Sequence, residues 1–279
     1  MKRILTIQDI SCVGKCSLTV ALPIISAFGI ETAILPTAVL STHTMFKGFT
    51  FRDLTEDLEK ISEHWKNEKI GFDALYTGYL GSFEQLDICS KMFNDYKTEN
   101  NFILVDPVMA DNGKLYPGFT QNFADNMAKL CGQADIIVPN LTEASFMLHT
   151  PYVSSGYTEE YVKEKLQALC NLGAKIAVLT GISFEDGKLG VYALDSKTGK
   201  YYQYYNKHLP ASFHGTGDIF ASALCGALTK YGDLQKALEI AVDFTVDSIA
   251  ITLDNPNHVT YGVEFENALP KLIERIKQL

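Results

Sequence analysis

Short β-branched runs alternate with longer amphipathic stretches through the first two-thirds of the chain, and this alternation limits the fold more than any other feature. The strand-like runs are "RILTIQ" (3–8), "TAILPT" (32–37), "ALYTGY" (74–79), "FILVDP" (102–107), "DIIVPN" (135–140) and "KIAVLTG" (175–181). Between them apolar residues recur with helical spacing, over about 15–28, 53–67, 83–98, 119–131 and 157–171. Strand runs with little polar alternation are buried on both faces, and a βαβα order predicts a mostly parallel sheet covered by helices. The segment "LGVYALDSKTGKYYQYY" (189–205) has two alternating runs around Lys197-Thr198-Gly199, which predicts a hairpin at the sheet edge. The last third reads as helix over about 217–231, 234–253 and 264–278.

The chain has 279 residues, 47% of them hydrophobic and 20% charged, enough apolar material for a sizeable core. No linker, repeat or low-complexity tract divides it, so 1–279 is read as one domain. The longest stretch without clear periodicity is "AVLSTHTMFKGFTFR" (38–52), predicted to be a functional loop that could act as a lid over substrate. Gln8 and Asp9 interrupt the apolar start before a signal-peptide core forms, and the apolar stretch 18–30 is too short for a membrane span. Cys12, Cys16, Cys89, Cys131, Cys170 and Cys225 are scattered without a C-x-x-C pair, which suits reduced thiols in a cytoplasmic protein. A net charge of −9 without a Lys/Arg cluster argues against a nucleic-acid partner. Anions remain possible ligands where backbone N–H groups and a divalent metal supply positive field locally.

In open α/β sheets ligands collect at the carboxyl ends of the strands. Here those ends carry Gln8-Asp9, Thr77-Gly78-Tyr79, Asp106-Pro107, Pro139-Asn140 and Thr180-Gly181. One such cluster is ordinary turn chemistry; five on one edge predict a binding site. Two familiar nucleotide signatures are absent. "DISCVGKCS" has Asp9 in place of the first Walker glycine and Cys16 after Gly14-Lys15, and "GTGDIF" has Phe220 at the third Rossmann glycine. What remains is Gly215-Thr216-Gly217-Asp218 entering a small, apolar, helix-like run. Asp218 can be a helix cap, or a base beside an anion site built from helix N–H groups.

Six segments in order carry a family likeness: "ILTIQD", "AVLSTHT" (38–44), "TGYLGS" (77–82), "DPVMADNG" (106–113), "DIIVPNLTE" (135–143) and "GTGD" (215–218). Together they resemble the pyridoxal (vitamin B6) kinases of the ribokinase-like superfamily, nearly end to end. The resemblance implies a ribokinase-like three-layer α/β fold, with a mostly parallel central sheet, helices on both faces and an edge hairpin. It implies ATP-dependent phosphorylation of the 5′-hydroxymethyl group of pyridoxal, pyridoxine or pyridoxamine, for salvage of pyridoxal 5′-phosphate. Asp218 would then be the catalytic base, and Gly215, Thr216 and Gly217 the anion hole. Asp9, His43, Thr44 and Tyr79 would surround the pyridine ring. Asp106 and Glu143 would hold Mg²⁺, with Asn140 and Asp111 nearby. Thr180, Lys207 and His208 would lie on the nucleotide side, within or near the stretch 206–210 that approaches the adenosine. The implied cofactors are ATP and Mg²⁺, with a monovalent cation left open, and the implied assembly is a homodimer.

Two positions depart from the family pattern. Asp9 stands where many members have Ser, which would favour a cationic amine such as pyridoxamine. Thr180 stands where relatives carry Lys, which leaves less fixed positive charge for the nucleotide. Alternatives are a kinase of the same superfamily acting on hydroxymethylpyrimidine or a sugar, and a non-catalytic sensor that kept the fold.

Overall fold

The computed structural model describes residues 1–211 and 213–278. Its strands and helices follow in the order β1 (Arg3–Val13), α1 (Leu18–Ala27), β2 (Glu31–Thr42), β3 (Phe51–Asp53), α2 (Thr55–Asn67), β4 (Ala74–Thr77), α3 (Phe83–Tyr96) and β5 (Phe102–Val105). The chain continues with β6 (Ala110–Asp111), β7 (Lys114–Leu115), α4 (Gln121–Cys131), β8 (Ile136–Ile137), α5 (Leu141–Met147), α6 (Glu159–Asn171) and β9 (Ile176–Ile182). It ends with β10 (Lys188–Asp195), β11 (Lys200–Lys207), α7 (Thr216–Tyr231), α8 (Leu234–Asp254) and α9 (Leu269–Gln278), the last preceded by one 3₁₀ turn at Phe265–Asn267.

Nine strands form one sheet in the order β11-β10-β9-β8-β5-β4-β1-β2-β3. The six from β2 to β9 are parallel, so their carboxyl ends share one edge. Antiparallel pairs close both flanks: β10–β11 beyond β9, and β3 beyond β2. Burial follows from the pleat. Leu5 and Ile7 point into a core beneath α2–α6, whereas Ile4 points to the opposite core beneath α1, α7, α8 and α9. Three layers result, with the sheet in the middle, as the alternation requires.

One expectation is corrected. The 38–52 region is strand at both ends rather than one loop: β2 continues to Thr42, pairing Val39 with Ile10 and Leu40 with Ser11, and then meets β3. Only 43–50 remains as a connecting turn. A second small hairpin, β6–β7, reverses through Asn112 (φ 51°) and Gly113 (φ 75°), an Asn-Gly turn whose positive φ values match the twist of the flanking strands. All six cysteines are free thiols, and Cys12 lies exposed on β1. Among the described residues no helix is long and apolar enough to cross a membrane.

Candidate active site

The parallel edge is capped from the α7 side by a helix mouth. Gly215 stands before α7 with φ 81°, a backbone conformation that glycine adopts without penalty. A side chain would not fit there in any case, because a Cβ on Gly215 would lie 1.8 Å from the Lys15 carbonyl oxygen. The first helical bond runs from the Ile219 N–H to Gly215 O at 2.9 Å, so the amides of Thr216, Gly217 and Asp218 lack intrahelical acceptors. They and the helix dipole favour an anion in front of α7. Asp218 is buried in the first turn, and its Oδ1 has no hydrogen-bond partner. Burial lifts its carboxyl to about 7; a backbone hydrogen bond from Ser17 opposes the shift and the Asp9 charge adds to it. Asp218 is therefore both a first-turn helix residue and an unsatisfied acceptor.

Asp9 sits within β1 rather than at its end, at the irregularity between Gln8 and Ile10 where the register with β2 shifts. It is buried, with Ser17 Oγ donating to Oδ1 at 2.6 Å and Ser11 Oγ to Oδ2 at 3.1 Å. Burial raises this carboxyl too, against those two donors. Cys16, between Asp9 and Asp218 electrostatically, has its thiol pushed up to about 12 by burial and by both carboxylates, so it is a neutral wall rather than a nucleophile.

Asp106 follows β5, its N–H donating to Thr77 O at 2.9 Å. Its carboxyl is raised well above the ordinary range, first by burial and then by the charges of Glu143 and Asp218. Glu143 is fixed by a reciprocal cap at the start of α5: its N–H donates to Asn140 Oδ1 at 2.9 Å and the Asn140 N–H donates to Glu143 Oε2 at 2.9 Å. The Met109 N–H donates to its other oxygen at 3.0 Å. Burial dominates here as well and raises the Glu143 carboxyl. Among the described residues none of Asp9, Asp106, Glu143 and Asp218 has an ion-pair partner. Buried like charges without a cation are costly unless something positive joins them. No three metal-ligating side chains converge among the described residues.

The substrate-side candidates cluster less tightly. His43 is buried at the end of β2, accepting from the Met45 N–H at Nδ1 (3.3 Å) and facing Tyr261 O from Nε2 at 3.0 Å. Those partners place the proton on Nε2, and burial lowers the imidazole pKa, so the ring is neutral with both nitrogens engaged. Its faces remain for contact, one of them stacked with His214 at 5.9 Å. Thr44, next in the turn, is exposed. Tyr79 is half-buried, tilted against Phe119 at 5.7 Å, and near enough to Asp9 to feel its charge.

On the other flank Thr180 bridges to Asn140 across β9, its N–H donating to Pro139 O at 3.0 Å. Asn140 Nδ2 donates to Ala110 O at 2.8 Å, tying α5 to the β6–β7 hairpin. Asp111 on that hairpin is exposed and turned onto Asn112. Lys207 pairs with Lys188 at the same edge of the sheet, so Lys207 and His208 lie two strands beyond β9, exposed and without a link to the carboxylates. Sequence reasoning missed Ser11 and Ser17, which pin Asp9, and Tyr116, whose hydroxyl feels Glu143, Asp111, Asp106 and Asp218 together. The helix expected from about residue 15 starts only at Leu18, which leaves Ser17 in the turn before it, free to bond Asp9.

Known proteins share this fold. The family described as Phosphomethylpyrimidine kinase matches residues 26–263. A Bacteroides thetaiotaomicron protein crystallised with pyridoxal is 38% identical, with a TM-score of 0.91 over 97% of this chain and 95% of that one. The pyridoxal kinase of Lactobacillus plantarum is 30% identical, with a TM-score of 0.90 over 100% of this chain and 99% of that one. The pyridoxal kinase of Arabidopsis thaliana is 28% identical, covering 98% of this chain and 89% of its own length. With matches that span both chains and a shared three-layer fold, the protein belongs to the pyridoxal kinase family of the ribokinase-like superfamily, and it is a kinase.

Proposed function

We propose that the protein transfers the γ-phosphoryl group of ATP to the 5′-hydroxymethyl group of a B6 vitamer, with Asp218 as the base. The observation that carries this reading is the unpartnered, buried Oδ1 of Asp218 at the mouth of α7, beside free helix amides. Asp218 takes the proton of the hydroxymethyl group as its oxygen bonds to the γ-phosphorus, and the bond from that phosphorus to the bridging oxygen of ADP breaks. The amides of Thr216, Gly217 and Asp218 stabilise the charge on the migrating group. A carboxyl lifted to about 7 is matched to accepting a proton near neutral pH.

Asp106 and Glu143 are the residues that would hold Mg²⁺, since both are buried carboxyls raised by burial and, among the described residues, without an ion-pair partner. When bound, Mg²⁺ would offset the charge of the ATP phosphates. Asp9, His43, Thr44 and Tyr79 would border the pyridine ring, while Thr180, Lys207 and His208 would face the nucleotide. Pyridoxal as the substrate type is supported by the Bacteroides thetaiotaomicron protein crystallised with it and by the two pyridoxal kinases. The buried Asp9 carboxylate supports a preference for the amine of pyridoxamine.

A second reading, phosphorylation of a hydroxymethylpyrimidine, is favoured by the description of the matching family. One assay separates them: ADP release with Mg·ATP and each vitamer, hydroxymethylpyrimidine or a sugar. Turnover on the vitamers above the pyrimidine is expected. A reversed order moves the assignment to the second reading, and no turnover on any alcohol ends both.

A further inference from the structure

The turn from Gly14 to Ser17 touches more of the site than its length suggests. Ser17 has φ 52° and ψ −135°, a combination that belongs to glycine and is held in other residues only by their surroundings. It stands at the N-cap of α1, yet its hydroxyl makes no cap bond. Instead Ser17 Oγ donates to Asp9 Oδ1 at 2.6 Å. The Ser17 carbonyl accepts the N–H groups of Val20 at 3.0 Å and Ala21 at 2.9 Å, so the residue still starts the helix through its backbone. The Ser17 backbone also lies near enough to Asp218 to oppose the rise that burial gives its carboxyl. Two residues earlier, the Lys15 carbonyl fills the space where Gly215 would carry a Cβ. Lys15 itself is anchored by Glu266, at 2.5 Å and 2.7 Å.

We infer that Ser17 is a positioning residue: by its bond to Asp9 it holds the Gly14–Ser17 turn in a strained form that sets both the Gly215 turn and the Asp218 carboxylate. The Asp9–Ser17 bond is the counterpart of the backbone strain. Without it the turn relaxes, Lys15 O withdraws from Gly215, and the base and the helix amides lose their common support. Asp9 then has a second role, independent of any contact with substrate. The kinetic part of this inference rests on the function proposed above; the structural part does not.

The test uses the full chain with Ser17→Ala, which keeps the Cβ and hence the strain of the backbone angles but lacks the hydroxyl. Amide hydrogen exchange without ligands is the first arm. Protection is expected to fall about tenfold at the Ile219 N–H, the first bond of α7, as well as at Val20 and Ala21. A loss confined to Val20 and Ala21 would mean that Ser17 only starts α1, and would overturn the inference. In the second arm kcat is expected to fall about 10- to 100-fold while KM for ATP changes less than about twofold, as for a mispositioned base. Wild-type kcat in Ser17→Ala also overturns it. Asp9→Ala completes a cycle: in that background Ser17→Ala should cost almost nothing further in kcat or exchange, and additive losses refute the Asp9 link. Should Asp9→Ala fail to fold, the single variant still decides. Should wild type show no turnover, the functional reading falls and the exchange arm alone judges Ser17.

Discussion

Glu143 and Asn140 cap one short helix from both directions, each N–H donating to the other's side chain at 2.9 Å. With the Met109 N–H on its second oxygen, the Glu143 carboxylate is held still by donors on both sides while it faces Asp106. Fixed in this way, the Glu143 carboxyl stands beside Asp106 in a set position in advance of any metal. Glu143→Gln leaves one oxygen for two N–H donors, so one donor must face an amide NH₂. A stability loss of about 1–2 kcal/mol is expected, eased by removal of the like charge near Asp106. The Mg²⁺ concentration for half-maximal activity should rise about tenfold or more, with a smaller effect on kcat at saturating metal. Denaturant melts and a Mg²⁺ titration of ADP release check both. In the wild type Mg·ATP should raise Tm, and a chelator should abolish turnover reversibly.

Asp218→Asn separates the two readings of that residue. Asn keeps the shape and a capping oxygen but cannot accept the hydroxyl proton. The expected result is a fall in kcat of about 10²- to 10⁴-fold with ATP affinity retained. Stability should move the other way, because the variant no longer buries a carboxylate with an orphaned oxygen. A mere cap would instead give near-normal kcat and lower stability. Single-turnover kinetics and thermal melts on the same preparation supply the comparison.

The buried carboxylates also fix how the unliganded fold responds to pH. Asp218 is raised from 3.8 to about 7, and Asp9, Asp106 and Glu143 are raised as well. A carboxyl raised by folding binds more protons in the native state, so its stabilisation is complete below about pH 4 and lost as pH rises through its folded value, near 7 for Asp218. Asp135, lowered in net by Lys175, Lys97 and a backbone donor although burial pulls the other way, acts in the opposite sense, but only at acid pH. Without metal the protein should therefore melt higher at about pH 6 than at about pH 8, by on the order of 2 kcal/mol. Asp218→Asn should flatten that slope. A wild-type Tm that rises from pH 6 to pH 8 would contradict the assignment of buried, unpaired carboxyls.

Much of this was legible in the sequence. The six parallel strands are short apolar runs that could satisfy both faces only inside a sheet, and Gly215 to Asp218 announced a helix mouth by composition alone. Other parts were hidden for physical reasons. Residues 38–42 extend β2 as Ala, Val, Leu, Ser and Thr near a sheet edge, where one side need not be apolar, so no alternation marked them. The β6–β7 hairpin was not read from the sequence, because its two-residue strands are too short to show a pattern beside Asn112-Gly113. Ser17 was unreadable because its role depends on a backbone angle and on Asp9, eight positions earlier in the sequence.

Gly215 is the position where fold and site depend on the same atom. Its φ of 81° disfavours any L side chain, and a Cβ would lie 1.8 Å from Lys15 O, a backbone atom that cannot swing aside. Gly215→Ala must therefore displace either the Gly14–Ser17 turn or the start of α7, at a cost of roughly 3 kcal/mol or more. The Lys15 turn is tied to Glu266 and, through Ser17, to Asp9, so the α7 mouth should be the part that moves. Activity should fall with it, since the free amides of Thr216 and Gly217 leave their place in front of the sheet edge. Gly217→Ala is the control. No atom lies within 4 Å of a Cβ there, so it should fold near normally, and any loss of kcat would come from crowding the anion site itself. Equal stability of the two variants in thermal melts would show that the close approach of Lys15 to Gly215 is not a constraint on the fold.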